Sequence, residues 1–218
     1  MLSLSLNVVY KLIFFDLDGT LIKCRSSWGL IHKHFGTMPE ARKALEEYRL
    51  GVIAYEQFMV RDISSWMKKK KKIHISEIKE ILKDYEFNEG ALETVSKLKE
   101  RGLRVVVLTA GIDILAEDVG RKLGVDIVLA NKLEVDREGY LTGRGIEVVD
   151  PYRKDQLLIS VSKKENVPPR ETIAVGDTMY DINMLKTAGL GLYFGNKKDI
   201  KNCNIKPICS LKEILNFM

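Results

Sequence analysis

Cysteine is scarce in this 218-residue chain: three occur, at positions 24, 203 and 209. Their odd number and the absence of any CxxC spacing argue against a disulfide framework and against a thiolate zinc site, and they predict a reducing, cytoplasmic setting. Long apolar runs are also missing, so no membrane span is expected. The opening residues, MLSLSLNVVYK, carry no basic segment ahead of an apolar stretch, and no secretory leader is expected there. Internal repeats are absent. Charge of one sign is only mildly in excess, at +5. That balance does not predict nucleic-acid binding, which needs basic residues gathered on one face, but it suits a small anionic substrate. The one biased segment is the run Lys68 to Lys72, expected to be the solvated end of a helix.

What is present suffices for a core. Hydrophobic residues make up 45% of the chain, and the length suits one main domain carrying a smaller insert. Short, continuous apolar runs at Val8–Phe15, Arg104–Leu108, Ile127–Ala130, Thr172–Val175 and Gly191–Phe194 have the pattern of strands buried on both faces. Helical periodicity falls between them, over residues 91–101, 112–123, 153–166 and 179–187. In the first of these Leu92, Val95 and Leu98 are assigned to the buried face and Gly102 to the stop. Alternating strands and helices predict a doubly wound, Rossmann-like α/β parallel sheet, in which ligands bind beyond the carboxyl ends of the strands. Residues 21–90 break the rhythm with four amphipathic helix patterns, at 26–35, 39–50, 55–67 and 76–85. We therefore expect an α/β core from residues 1–20 and 91–218, and a helical cap domain from residues 21–90. The insert holds 14 Lys and Arg against 10 Asp and Glu, and 14 − 10 gives +4 of the net charge. A β-hairpin is predicted over residues 131–150, turning at Asp136–Gly139.

Four segments carry chemistry. Asp16-Leu17-Asp18-Gly19-Thr20 places two carboxylates at a strand end, where their repulsion calls for a nearby cation. Leu108-Thr109-Ala110-Gly111 puts a hydroxyl and small residues between a strand and a helix, able to face a phosphate or to cap the helix. Lys154 opens a helix, where the helix dipole disfavours a cation unless an anion compensates it. Gly176-Asp177 through Asp181 adds two more carboxylates after a strand. Oxygen donors of this kind suit Mg²⁺.

In order and spacing these segments resemble the signature segments of the haloacid dehalogenase superfamily, and the chain is most similar to its phosphoserine phosphatase-like branch. The resemblance implies a Mg²⁺-dependent phosphatase acting on a small phosphorylated metabolite. It casts Asp16 as nucleophile and Asp18 as general acid and base. Asp16, Asp18 through its backbone carbonyl, and Asp177 would hold Mg²⁺. Thr109, Ala110 and Lys154 would bind the phosphoryl group, with Thr20 and Asp181 supporting them. A phosphotransferase or phosphomutase on the same site, or a non-catalytic protein of the same fold, are the alternatives. Two features depart from the phosphoserine-specific pattern: no acidic residue follows the nucleophile in Lys23–Trp28, and Tyr180 stands where an Asn is expected. Arg25, Trp28 and Arg61 are the candidate specificity residues, with the two arginines expected to meet a second anionic group. Trp66 is assigned to the cap interior, and His32 and His34, two apart, to different faces of a helix rather than to a shared metal.

Overall fold

The computed structural model describes residues 9–196 and 205–218. Val8, Cys203 and most of the opening segment therefore lie outside the described residues. The chain order begins with β1 (Leu12–Phe15), followed by helices α1 (Ser27–Phe35), α2 (Met38–Arg49), α3 (Tyr55–Lys69) and α4 (Ile75–Leu82). Then come α5 (Ala91–Glu100), β2 (Arg104–Ile112), α6 (Asp113–Leu123), β3 (Ile127–Val135) and β4 (Leu141–Ile146). The C-terminal part holds α7 (Lys154–Lys164), β5 (Thr172–Gly176), α8 (Ile182–Thr187), β6 (Leu190–Phe194) and β7 (Ile205–Ile208).

The seven strands form one sheet in the order β4-β3-β2-β1-β5-β6-β7. Every pairing is parallel except that of β3 with β4. β1 runs through the middle, and its side chains alternate between two packed faces. Ile13 and Phe15 join one core cluster, with α5, α6 and the inserted helices; Leu12 and Phe14 join the other, with α7 and α8. All four are fully buried, which is why the strand reads as an unbroken apolar run rather than an alternating one. The strand begins at Leu12, later than its apolar run suggests, and Lys11 at its mouth pairs with Glu171 at the surface.

Register sets the site. Phe15 lies level with Val107 on β2 and Val175 on β5. Asp16, Thr109 and Asp177 consequently emerge from the same edge of the sheet, on the three strands where the winding direction reverses. β2 continues further than its apolar run predicts, through Thr109-Ala110-Gly111 to Ile112, and α6 begins only at Asp113. Thr109 is thus a strand residue and not the N-cap of a helix. Partners at the strand end explain the extension, since the Ala110 carbonyl and the Ile112 amide are both bonded to side chains from elsewhere.

The four inserted helices pack as a layer over this edge. Trp66, Ile63, Met59 and Ile31 are fully buried among them and continuous with the core cluster. α1 starts at a Ser26 cap whose Oγ accepts the Gly29 amide at 3.0 Å, and it stops at Gly36 with φ 65°. The β3–β4 hairpin closes the layer from the side. The Ile75 amide donates to the Gly139 carbonyl and the Leu141 amide to that of Ile73, each at 2.9 Å. In α5 the buried face is Ala91, Thr94, Val95 and Leu98, while Leu92 is 53% exposed, one position off the expected stripe. β7 carries Pro207 in a run too short to read as a strand, and Pro is tolerated there because β7 is an edge. No helix of the described residues is long and apolar enough to cross a membrane.

Candidate active site

The loop leaving β1 turns at once. Gly19 adopts φ 93°, and a Cβ there would collide with the Asp177 carboxylate, so only glycine lets β1 and β5 approach this closely. Asn88, just before α5, donates to the carbonyls of Gly19, Thr20 and Ile22 at 2.9, 2.9 and 3.2 Å, fixing the loop. Thr20 Oγ1 donates to Asp177 Oδ1 at 3.0 Å.

The two carboxylates of this loop meet opposite surroundings. Asp16 Oδ1 accepts from Lys154 Nζ at 2.6 Å, and Lys154 donates to Asp181 Oδ1 at the same distance. All three side chains are buried. Burial would lower the Lys154 ammonium, but the charges and hydrogen bonds of Asp16 and Asp181 outweigh it and hold the group above its ordinary range. That answers why a lysine can open α7: two carboxylates, not water, receive its charge. Asp181 is itself held by Thr178, whose amide and hydroxyl donate to Oδ2 at 3.0 and 2.8 Å.

Among the described residues Asp18 has no such cation at hydrogen-bonding distance. Its Oδ2 accepts the Ser27 amide at 2.8 Å and the Ser27 hydroxyl at 2.9 Å, and Oδ1 is buried with no hydrogen-bond partner among the described residues. Burial pushes its pKa up, against the lowering effect of the Ser27 bonds. Ser27 also accepts the Ile112 amide at 3.1 Å, so one buried serine at the start of α1 ties the Asp18 carboxyl to the end of β2. Gly111 leaves room for this, since a Cβ there would press on Ser27 Oγ and Asp18 Oδ2.

Asp16, Asp177 and Asp181 each offer an oxygen within 4.8 Å of the others. Burial and the neighbouring carboxylates raise Asp16, with Lys154 opposing, and burial and then the Asp181 charge push Asp177 up to about 6. A single lysine therefore leaves surplus negative charge in the cluster. An all-oxygen donor set with surplus charge fits a hard divalent cation. Asp18 does not join through its side chain, which is turned to Ser27.

Above the carboxylates lies a cavity of about 400 Å³ between the sheet edge and the inserted helices. Asp16, Asp18, Thr109, Ala110 and Lys154 form its floor. Thr109 Oγ1 accepts the Gly111 amide at 2.9 Å, which leaves its own proton free to donate upward. The Ala110 carbonyl is held by three donors, Trp28 Nε1, Tyr55 OH and Asn131 Nδ2, each at 3.0 Å. Asn131 in turn accepts the amides of Val148 and Val149, locking the segment that leads to Lys154. Of the specificity candidates, Arg25 and Trp28 line the cavity. Arg61 does not: it points away and pairs with Glu47, because the helical turn that brings Asp62 inward carries its neighbour outward. Asp62, Asn88 and Asn131 gave no motif in the sequence. Their roles arise only when distant segments meet, although a charged residue between apolar neighbours in α3 marks Asp62 as buried against expectation.

A family model for haloacid dehalogenase-like hydrolases matches residues 13–186. The chain belongs to that family. Among curated relatives, the phosphoserine phosphatase of Methanocaldococcus jannaschii is 35% identical over 95% of this hydrolase and 97% of its own length. Two solved structures, a phospho-aspartyl intermediate analogue and a substrate-bound complex of phosphoserine phosphatase, superpose with TM-score 0.78 at 33% identity. They cover 96% of this hydrolase and 99% and 98% of those chains. The central, mostly parallel sheet agrees with the doubly wound fold expected from the sequence.

Proposed function

We propose that this hydrolase is a Mg²⁺-dependent phosphatase that cleaves a small organic phosphomonoester by way of an aspartyl-phosphate on Asp16. The observation that carries this is the contrast between Asp16 and Asp18. Two carboxylates two residues apart meet different partners: Asp16 accepts from the Lys154 ammonium, while Asp18 accepts only from Ser27 and keeps one oxygen without a partner among the described residues. A cationic partner suits a carboxylate that attacks phosphorus, and hydroxyl and amide donors beside a free oxygen suit one that passes a proton. The relatives named as phosphoserine phosphatases, and the phospho-aspartyl analogue among the similar structures, support the same chemistry.

An Asp16 carboxylate oxygen attacks phosphorus, and the bond from phosphorus to the leaving oxygen breaks. Asp18 gives its proton to that oxygen through Oδ1, the atom without a hydrogen-bond partner among the described residues. Lys154 and the Thr109 hydroxyl hold the phosphoryl oxygens as charge moves between them. Asp18, now ionised, takes a proton from water, whose oxygen attacks phosphorus and frees inorganic phosphate and the Asp16 carboxylate. Asp16 and Asp177, with the Asp18 carbonyl, would hold Mg²⁺, and Asp181 would position Lys154. When bound, the metal supplies positive charge to the phosphoryl group and the carboxylate cluster. Residues 21–90 act as the cap that excludes water and reads the rest of the substrate. The free thiols of Cys24 and Cys209 suit a reducing, cytoplasmic setting.

The direct assay is phosphate release from an aryl phosphate with and without Mg²⁺. Release that depends on the metal and disappears in Asp16→Asn supports the proposal; no release from any phosphomonoester with metal bound contradicts it.

A further inference from the structure

The cap side of the cavity contains a buried acid that the phosphoryl chemistry does not use. Asp62 on α3 is 1% exposed, lines the cavity, and neither of its oxygens has a hydrogen bond among the described residues. Its close neighbour is His32 on α1, whose Nε2 lies 3.1 Å from Oδ2 but off the line a hydrogen bond needs. His32 does not neutralise it. The Trp66 indole, which can only donate, gives its N–H to His32 Nδ1 at 3.1 Å. Thr37 Oγ1 lies 2.8 Å from the same nitrogen. Nδ1 is therefore an acceptor, the ring is neutral, and its proton sits on Nε2. A buried carboxylate beside a neutral imidazole, in an apolar setting, is costly to keep unless something cationic arrives. Trp28, Tyr55 and Phe58 line the same cavity, and aromatic rings there favour a cation as well. The arginines at the cavity, Arg25, Arg42 and Arg49, are exposed on its rim, where water screens their charge.

Resting on the phosphatase reading of the floor, we propose that Asp62 is the subsite for an ammonium group at the far end of the substrate. The substrate class is an amino-alkyl phosphomonoester. A carboxylate on the same end would face the same acid and be repelled, so phosphoethanolamine is a better substrate than phosphoserine. Asp62 takes no part in the bond-breaking steps; it selects what enters.

Non-hydrolysable probes separate this from turnover. Calorimetry on the Mg²⁺-loaded protein compares 3-aminopropylphosphonate with butylphosphonate and 3-hydroxypropylphosphonate, which differ only in the terminal group. The amino probe is expected to bind at least about tenfold more tightly than either, and Asp62→Asn to erase that advantage while an aryl phosphate is still hydrolysed within about threefold of wild type. Equal affinity of the three probes for the wild type overturns the proposal, and this comparison needs no variant that folds. A hydroxyl probe as tight as the amino probe shows a neutral donor site and also overturns it, as does an amino advantage that survives in Asp62→Asn. Loss of aryl phosphate hydrolysis by the wild type would instead contradict the phosphatase reading.

Discussion

Each of the two reactive carboxylates takes its character from one hydrogen-bonding neighbour. For Asp16 that neighbour is Lys154, and Asp16→Asn removes both the attacking oxygen and a full charge from the buried pair. Turnover should fall below about 1% of wild type with the fold intact by circular dichroism, since loss of a covalent nucleophile costs several orders of magnitude. For Asp18 the neighbour is Ser27. Ser27→Ala deletes one bond to Oδ2 and leaves the Ile112 amide without its acceptor. A buried unpaired amide costs about 1–3 kcal/mol, to be read from urea unfolding. The kinetic effect should depend on the leaving group. Alkyl phosphates, which need the proton from Asp18, should lose at least about tenfold in kcat, and p-nitrophenyl phosphate less. Equal losses on both substrates would mean that Ser27 does not act through Asp18 protonation. At this scale the sequence is most legible for the strand-end carboxylates and Lys154, because charge at the end of an apolar strand is conspicuous. It is least legible for Ser27 and Asp62, whose neighbours are brought in by the fold.

Among the elements, α3 decides which residues reach the substrate. Arg61, expected to contact substrate, lies one position from Asp62, which lines the cavity, and one position on a helix is 100° of rotation. Arg61 pairs with Glu47 at the surface of the helical layer. Arg61→Ala should leave kcat/KM within about twofold and stability within about 1 kcal/mol, as for exposed ion pairs generally. A tenfold kinetic loss would place the side chain at the substrate after all. β3 has the opposite standing. Asn131 on this strand, itself fully buried, joins the Ala110 carbonyl to the amides of Val148 and Val149. Asn131→Ala strands several buried polar groups at once, and the midpoint of urea unfolding should drop by the equivalent of about 3 kcal/mol or more. The helices were legible because each carries an apolar stripe. The continuation of β2 through Thr109 was not, because side chains from α1, α3 and β3 fix its end rather than its own apolar pattern.

At the scale of the whole molecule, a sheet edge carrying surplus negative charge meets a helical layer that closes over it. The surplus makes the metal part of the account. Exhaustive chelation should abolish turnover, Mg²⁺ should restore it, and Ca²⁺, with its longer bonds and larger coordination number, should not. Protons compete for the same oxygens. Asp177 sits at about 6, so it holds a proton below that pH and must release it for the metal to bind. Apparent Mg²⁺ affinity, measured by titration calorimetry, should therefore weaken as pH falls from 7.5 to 5. On the proposed path the phosphoryl group passes through Asp16. Rapid acid quench during steady turnover, reduction with borohydride and peptide mass spectrometry will locate an acyl phosphate as homoserine in place of the aspartate that carried it. Homoserine is expected at position 16 and nowhere else, and none without substrate. Full turnover with no modified aspartate, or with the label at Asp18 or Asp177, would contradict it.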